Sequence, residues 1–214
     1  MDDHIKVEQY IDSHLSKRNA LLTEMENFAE KDHVPIMEQT GLEAMLQFMS
    51  IHFPKRILEI GTAIGYSSLR IIDRLPESQV VTIERDDKRI EQAKAFHKQA
   101  GVENQIHIIE GDALSVDEEA SALGPFDALF IDAAKGQYER FFELYEPMVR
   151  PGGLIFSDNV LFKGFVPGLV KPDKKRIDQM VARLQRYNEA RMADPRFQSM
   201  IYPIGDGLMV SIKK

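Results

Sequence analysis

The sequence predicts an α/β fold: a mostly parallel sheet with helices on both faces, closed at one edge by an antiparallel hairpin near the C-terminus. Three observations carry that expectation. A short apolar run, Arg56-Ile57-Leu58-Glu59-Ile60, enters a glycine turn, Gly61-Thr62-Ala63-Ile64-Gly65, and a Ser-Ser pair beyond it can open a helix. Strand-like runs then alternate with helical periodicities along most of the chain. Acidic residues also stand directly after successive strands, at Glu84, Asp112, Asp132 and Asp158, and that end of an open α/β sheet is where ligands bind.

The chain has 214 residues and 43% hydrophobic content, which suits one domain over residues 1–214 with a full core. No internal repeat, low-complexity tract or interdomain linker interrupts it. The absence of Cys excludes disulfides, thiolate nucleophiles and cysteine-based zinc or iron-sulfur sites. His4, His14, His33, His52, His97 and His107 lack metal-ligand spacing and read as surface or internally satisfied residues. No apolar run reaches membrane-spanning length, and the opening residues, with Asp2 and Asp3, do not resemble a signal peptide, so a cytoplasmic protein without a membrane partner is expected. The net charge of −7 conceals an asymmetry: residues 160–214 hold 11 Lys or Arg against 5 Asp or Glu. Such a basic quarter suits a polyanion, although a solvated helix face is the commoner meaning of any single basic run.

Residues 4–32 and about 38–52 read as helices within an N-terminal segment, 1–53. Ile5, Tyr10, Ile11 and Leu15, then Leu21, Leu22, Met25 and Phe28, then Leu42, Met45, Leu46 and Met49 recur at helical spacing. Lying before the first strand, these helices are expected over a cofactor cleft or against a second subunit. Tyr66 to Arg74 is a helix, Gln79 to Ile83 a strand ending at Glu84, Asp87 to Ala100 a helix stopped by Gly101, and Gln105 to Glu110 a strand leading to Gly111-Asp112-Ala113. Phe126 to Ile131 is a strand ending at Asp132, Gln137 to Val149 a helix stopped by Pro151-Gly152-Gly153, and Leu154 to Ser157 a strand ending at Asp158-Asn159. A basic loop and helix occupy 160–192, the helix running from about Asp173 to Met192. Phe197 to Tyr202 and Leu208 to Lys213 form the hairpin, joined through Pro203 and Gly205-Asp206-Gly207.

The spacing Gly61-x-x-x-Gly65 is not the dinucleotide fingerprint, and the acids around it disfavour a pyrophosphate. S-adenosylmethionine (SAM) fits better, because its sulfonium and amine are cationic and its ribose hydroxyls are donors that one carboxylate accepts together. Glu84 lies about 20 residues past the turn, where a ribose-binding acid is expected. A ligand-free corner is the alternative for the glycine pattern alone; Glu84 and Asp112 at successive strand ends favour the cofactor. Asp132, Asp158 and Asn159 bring three oxygen ligands to the same end of two further strands, which points to magnesium, manganese or calcium rather than to two helix-capping acids. Lys135, three residues beyond Asp132, reads equally as a salt-bridge partner of that aspartate or as a general base, since a cation between a metal ion and a sulfonium is pressed to release its proton.

The chain resembles the metal-dependent O-methyltransferases of the catechol and caffeoyl-CoA type across nearly its whole length. The motifs are Ile57-Leu58-Glu59-Ile60-Gly61-Thr62 with Gly65-Tyr66-Ser67, Thr82-Ile83-Glu84, Gly111-Asp112-Ala113, Phe130-Ile131-Asp132-Ala133-Ala134-Lys135, Ser157-Asp158-Asn159 and Pro203-Ile204-Gly205-Asp206-Gly207. The resemblance implies a seven-stranded Rossmann-like class I methyltransferase sheet, a homodimer, and SAM with a divalent cation, usually magnesium. It implies Met37, Glu59, Gly61, Ser67, Glu84, Asp112, Ala113 and Asp132 around SAM, metal ligation by Asp132, Asp158 and Asn159, and Lys135 as the base. Within that family the chain looks most like the bacterial tRNA 5-hydroxyuridine methyltransferases, which make 5-methoxyuridine at the wobble position. The chemistry agrees, because 5-hydroxyuridine offers its 5-OH beside a carbonyl oxygen much as catechol offers two hydroxyls. Lys163, Lys171, Lys174, Lys175 and Arg176, with Arg183 and Arg186, would then contact phosphates of the anticodon loop, and Phe162 or Phe165 would stack on a splayed base. A small catechol or an acyl-CoA phenol is the alternative substrate, although Ala133-Ala134 replaces the bulky residues of catechol enzymes. A non-catalytic SAM- and RNA-binding protein is a second alternative.

Overall fold

The structure is a computed structural model describing residues 2–214. The side chains of residues 2–5 and 8 lie outside the described set, and with them Ile5 of the expected N-terminal stripe and His4, read as a surface or internally satisfied residue. The sheet grows outward from β1 (Arg56–Ile60), which is buried from Ile57 onward because helices cover both its faces. β2 (Gln79–Glu84) pairs parallel with β1, and β3 (Ile106–Glu110) with β2. β4 (Phe126–Ile131) and β5 (Val149–Ser157) extend the parallel sheet on the other side of β1. β7 (Leu208–Lys213) runs antiparallel between β5 and β6 (Phe197–Tyr202), so the order is β3-β2-β1-β4-β5-β7-β6. The expected hairpin at one edge is there, its second strand lying innermost.

Alternation along the strands sends successive residues to opposite faces. Ile57, Val80, Ala128, Phe130 and Phe156 face α2 (Ala20–Lys31), α3 (Gln39–His52), α4 (Tyr66–Arg74) and α5 (Asp87–Ala100). Leu58, Val81, Leu129, Ile131 and Ile155 face the other layer, where α6 (Asp117–Ala122), α7 (Tyr138–Tyr145) and α8 (Lys175–Ala193) pack. Registers pairing Ile60 with both Ile83 and Ile131, and Ile131 with Ser157, bring residues 61, 84, 132 and 158 to one end of the sheet. Chain direction across the sheet reverses between β1 and β4, and the crevice opens there. No described helix is long and apolar enough to cross a membrane.

Four elements differ from the sequence-based expectation. The helix over 4–32 is two helices, α1 (Asp2–His14) and α2; between them Ser16-Lys17-Arg18-Asn19 is polar, and the Asn19 side chain accepts the Leu22 N–H at 2.9 Å as an N-cap. α6 was not anticipated, since six residues are too few to show a helical period. α7 ends at Tyr145, followed by a 3-10 turn over Glu146–Met148 that contains Pro147, so Pro147 and not Pro151 stops it. Pro151-Gly152-Gly153 therefore lies inside β5, where the register shifts against β4 between Phe126 and Ala128. A Cβ on Gly153 would stand 2.9 Å from the Asp127 carbonyl oxygen, so only glycine fits that bulge.

His97, on α5, packs beneath the glycine turn. Its Nε2 lies 3.3 Å from the Ser68 hydroxyl, and a Cβ on Gly65 would approach Nε2 to 2.3 Å. Burial pushes the imidazole down to about 4, although its hydrogen bond to the Gly65 backbone favours the charged form. The unfolded chain accepts a proton at pH values where the folded one refuses it, from the ordinary His pKa of 6.5 down to about 4. Stability from this residue is therefore complete above 6.5 and lost as pH falls through that window, by about 3 kcal/mol in full. Urea midpoints between pH 7 and 4 are expected to fall less steeply for His97→Gln than for the natural chain. Parallel pH slopes for the two would remove this assignment.

Candidate active site

The strand ends open into a cavity of about 650 Å³. The glycine turn forms one wall and the ends of β2 and β3 the next. Residues following β4 and β5 form a third, and the Pro35–Glu38 link, with Met37 buried in it, covers the side toward α2 and α3. Gly61 has φ +105°, and a Cβ there would meet the Asp132 carbonyl oxygen at 2.0 Å. Bare backbone is what lets the exits of β1 and β4 pass each other. The Asp132 N–H donates to Ile60 O at 3.0 Å and the Asp158 N–H to Ile131 O at 3.1 Å, so the parallel ladder delivers both aspartates to the cavity.

Glu59 is wholly buried behind that turn and does not line the cavity. It accepts from the Ser67 hydroxyl and from Thr82 Oγ1 at 2.6 Å, and the Thr82 hydroxyl lies 2.6 Å from that of Thr62. Burial pushes its carboxyl up to about 7 in spite of the two hydroxyls. Its link to the cavity runs through Ser67, which does line it. Glu84 is held rigidly: Oε2 accepts the Ala63 N–H at 2.9 Å, and Oε1 accepts the Arg85 and Asp86 N–H groups at 2.9 and 3.1 Å. Its remaining lone pairs are available to a ligand's hydroxyls. Asp112 accepts the Leu114 N–H at 2.9 Å and pairs with Arg85 at 3.0 Å, and these contacts, the N–H first, hold it below the usual carboxylate range. Ala113 lines the same wall, its carbonyl accepting the Tyr145 hydroxyl at 2.7 Å.

Asp158 is 4% exposed. Burial pushes its carboxyl well above the usual range, the Asp132 charge adds to that, and the Asn159 N–H and Lys135 oppose it. Burial likewise raises Asp132, with Lys135 opposing. Two buried carboxylates in one cavity wall would be relieved by a cation between them. Among the described residues no three His, Cys, Asp or Glu side chains group as metal ligands; the candidate set is two carboxylates and an amide, Asp132, Asp158 and Asn159, which all line the cavity. Hard oxygen donors of this kind fit magnesium, manganese or calcium, leaving coordination positions for water or substrate. The segment is clamped from behind: the Tyr138 hydroxyl donates to Asp158 O at 3.0 Å, the Tyr187 and Ser157 hydroxyls lie 2.6 Å apart, and Asn188 Nδ2 donates to Val160 O at 2.9 Å.

Lys135 lines the cavity with its Nζ 5.7 Å from the Phe162 ring centroid, and among the described residues it makes no ion pair with Asp132. The salt-bridge alternative is thus not the arrangement found. Asp206, read from sequence as part of the hairpin turn and of a family motif but given no role at the site, proves central: its carbonyl accepts the Leu161 and Phe162 N–H groups at 2.9 and 3.0 Å, and Oδ1 accepts the Lys163 N–H at 3.1 Å. The hairpin thereby pins the loop that sets Phe162 over Lys135. Ala63, Asn159, Phe162 and Lys163, four of the six non-glycine residues with positive φ among those described, line this cavity. Backbone strain gathers where ligand geometry has to be held. Of the basic residues singled out in the sequence, Lys163 reaches the cavity; Lys171, Lys174, Lys175 and Arg176 are exposed on the following loop and the start of α8, outside its lining.

Comparison with known proteins agrees with this geometry. A family model described as O-methyltransferase matches residues 12–214. A catechol O-methyltransferase of Niastella koreensis is 30% identical over 218 residues, covering 97% of this chain and 96% of its own. A crystal structure of a candidate caffeoyl-CoA O-methyltransferase from Staphylococcus aureus superposes with a TM-score of 0.91 at 38% identity, over 98% of this chain and 100% of that one. An O-methyltransferase from Bacillus cereus in complex with S-adenosylhomocysteine gives 0.83 at 26% identity, over 98% and 97%.

The Gly61 contact yields a direct test. Gly61→Ala places a methyl group 2.0 Å from a backbone oxygen at a φ that L residues avoid, so a loss of about 3 kcal/mol or more is expected in urea unfolding, or failure to fold. A variant within about 0.5 kcal/mol of the natural chain would show that the two strand exits do not depend on this approach.

Proposed function

The chain belongs to the O-methyltransferase family, and on that premise we propose that it uses SAM and a divalent cation, magnesium foremost, to methylate an acidic hydroxyl with a second oxygen beside it. The acceptor we propose is 5-hydroxyuridine at the tRNA wobble position, converted to 5-methoxyuridine. One observation carries the chemistry: Asp132, Asp158, Asn159 and Lys135 share a cavity with the acids at the ends of β2 and β3. Pure binding of SAM would not call for a metal triad beside a lysine.

SAM, when bound, supplies a methyl group on a cationic sulfur, and the divalent ion makes the acceptor hydroxyl more acidic. The chain's own residues do the rest. Glu84, immobilised by three backbone donors, accepts the ribose hydroxyls, while Asp112, Ala113 and Met37 border the adenosine. Gly61 and Ser67 bring backbone and hydroxyl to the amino-acid end, with Glu59 bracing Ser67 from behind. Asp132, Asp158 and Asn159 would hold the cation. Lys135 takes the acceptor's proton, and Phe162, pinned through Asp206, keeps the lysine at the cavity mouth. A fixed mutual orientation of acceptor and methyl donor is where most of the rate gain originates.

The tRNA assignment is supported by the exposed cations of Lys171, Lys174, Lys175 and Arg176 on the loop and helix start that follow Lys163, which itself lines the cavity. The catechol O-methyltransferase among the relatives favours a second reading, a small phenolic acceptor. A homodimer is also proposed, with the exposed Val7, Tyr10 and Ile11 of α1 as an apolar surface for it.

Labelled SAM, magnesium and total tRNA from cells lacking this protein, followed by nucleoside mass analysis, test the acceptor. Gain of 5-methoxyuridine with loss of 5-hydroxyuridine is expected; transfer to a catechol control alone would leave the small-phenol reading. For the cation, Asp158→Ala is expected to lower transfer by about 100-fold or more, since even groups behind metal ligands are worth 10–100-fold. SAM affinity in that variant is expected to stay within about threefold by calorimetry. Full activity in Asp158→Ala would remove the metal assignment.

A further inference from the structure

A second cavity of about 380 Å³ shares Lys135 with the first as a lining residue. Its floor is closed by Tyr138 and Tyr187, each 1% exposed, whose hydroxyls point inward to Asp158 O and Ser157. The charged groups on its rim are Lys135, Glu139, Arg183 and Arg186. Glu139 is already engaged by Arg191 at 3.0 Å. Arg183 and Arg186, exposed and three residues apart on one face of α8, have no hydrogen bond or ion pair among the described residues. Gly136 makes room for this arrangement: a Cβ there would come within 3.1 Å of Arg183 Nη1. Two free guanidinium forks thus stand beside the lysine at the methyl-transfer site, over a floor with no polar group of its own to offer.

We propose that this cavity takes a phosphate group carried by the methyl acceptor, held between Arg183 and Arg186 beside Lys135. The inference rests on the first cavity being the methyl-transfer site. A carboxylate is satisfied by one guanidinium, whereas two forks match the several acceptor oxygens of a phosphate. An acceptor whose hydroxyl meets Lys135 from the first cavity carries its phosphate past that lysine into the second. The group has two sources: an RNA phosphodiester flanking the methylated nucleotide, or a phosphate of a CoA ester.

The test compares the natural chain with Arg183→Gln/Arg186→Gln on three acceptors: tRNA containing 5-hydroxyuridine, caffeoyl-CoA, and phosphate-free catechol. The readout is kcat/KM for each phosphate-bearing acceptor divided by kcat/KM for catechol. A fall of tenfold or more in that ratio, carried by KM and partly restored by Arg183→Lys/Arg186→Lys, is the expected result. A fall for tRNA identifies the phosphodiester, and a fall for caffeoyl-CoA alone identifies the CoA phosphate while removing the tRNA reading. A ratio changing less than twofold, with tRNA still methylated, overturns the phosphate site and leaves the tRNA reading standing. If the natural chain methylates catechol but neither phosphate-bearing acceptor, both proposals fall.

Discussion

The approach of Gly61 to the Asp132 carbonyl is the constraint on which the rest of the cavity depends. A parallel sheet whose strand order reverses between β1 and β4 splays its chain exits to either side. A side chain at residue 61 would hold those exits apart, and its absence lets the glycine turn and the Asp132 segment form adjoining walls. His97 meets the other glycine of the same turn, at Gly65, so the turn is packed from both sides by groups that tolerate no Cβ. The acids that follow the strands then converge with no further invention.

Charge is divided between the interior and the rim. Inside, Glu84, Asp112, Asp132 and Asp158 make the cavity wall acidic, suited to a cationic sulfur and to a divalent ion. Outside, the loop after β5 and the start of α8 are basic, and Arg183 and Arg186 continue that sign around to the second cavity. Lys135 stands at the boundary of the two fields, because it lines both cavities. The interior acids are not equivalent. Glu84 and Asp112 accept backbone N–H groups, whereas burial raises both Asp132 and Asp158, and the Asp132 charge raises Asp158 further.

The mouth of the cavity is organised from the far end of the chain. Asp206, in the β6–β7 turn, accepts three backbone N–H groups of residues 161–163, which fixes a loop whose φ angles at Phe162 and Lys163 are otherwise unfavourable. On the opposite side of the same segment, Tyr138, Tyr187 and Asn188 hold residues 157–160 through hydrogen bonds from α7 and α8. The metal-ligand candidates and the lysine are therefore positioned by elements separated from them by 20 or more residues in several cases.

By itself, the sequence determined the alternation of strands and helices, the edge hairpin, and the placement of an acid after each of four strands. These features follow from local hydrophobic period and turn chemistry, which act over a few residues. It also marked Gly61, Glu84, Asp132, Asp158 and Lys135, because strand ends in a parallel sheet all point one way. Tertiary structure alone decided that Glu59 braces the turn from behind, that Lys135 faces Phe162 rather than Asp132, and that Asp206 reaches back to hold the mouth. It also decided that Lys163 meets the cavity while the other basic residues of the loop and helix start do not, and that Arg183 and Arg186 flank a cavity of their own. Each of these is set by contacts between segments far apart in the chain, and no local pattern encodes which distant partner a side chain will meet.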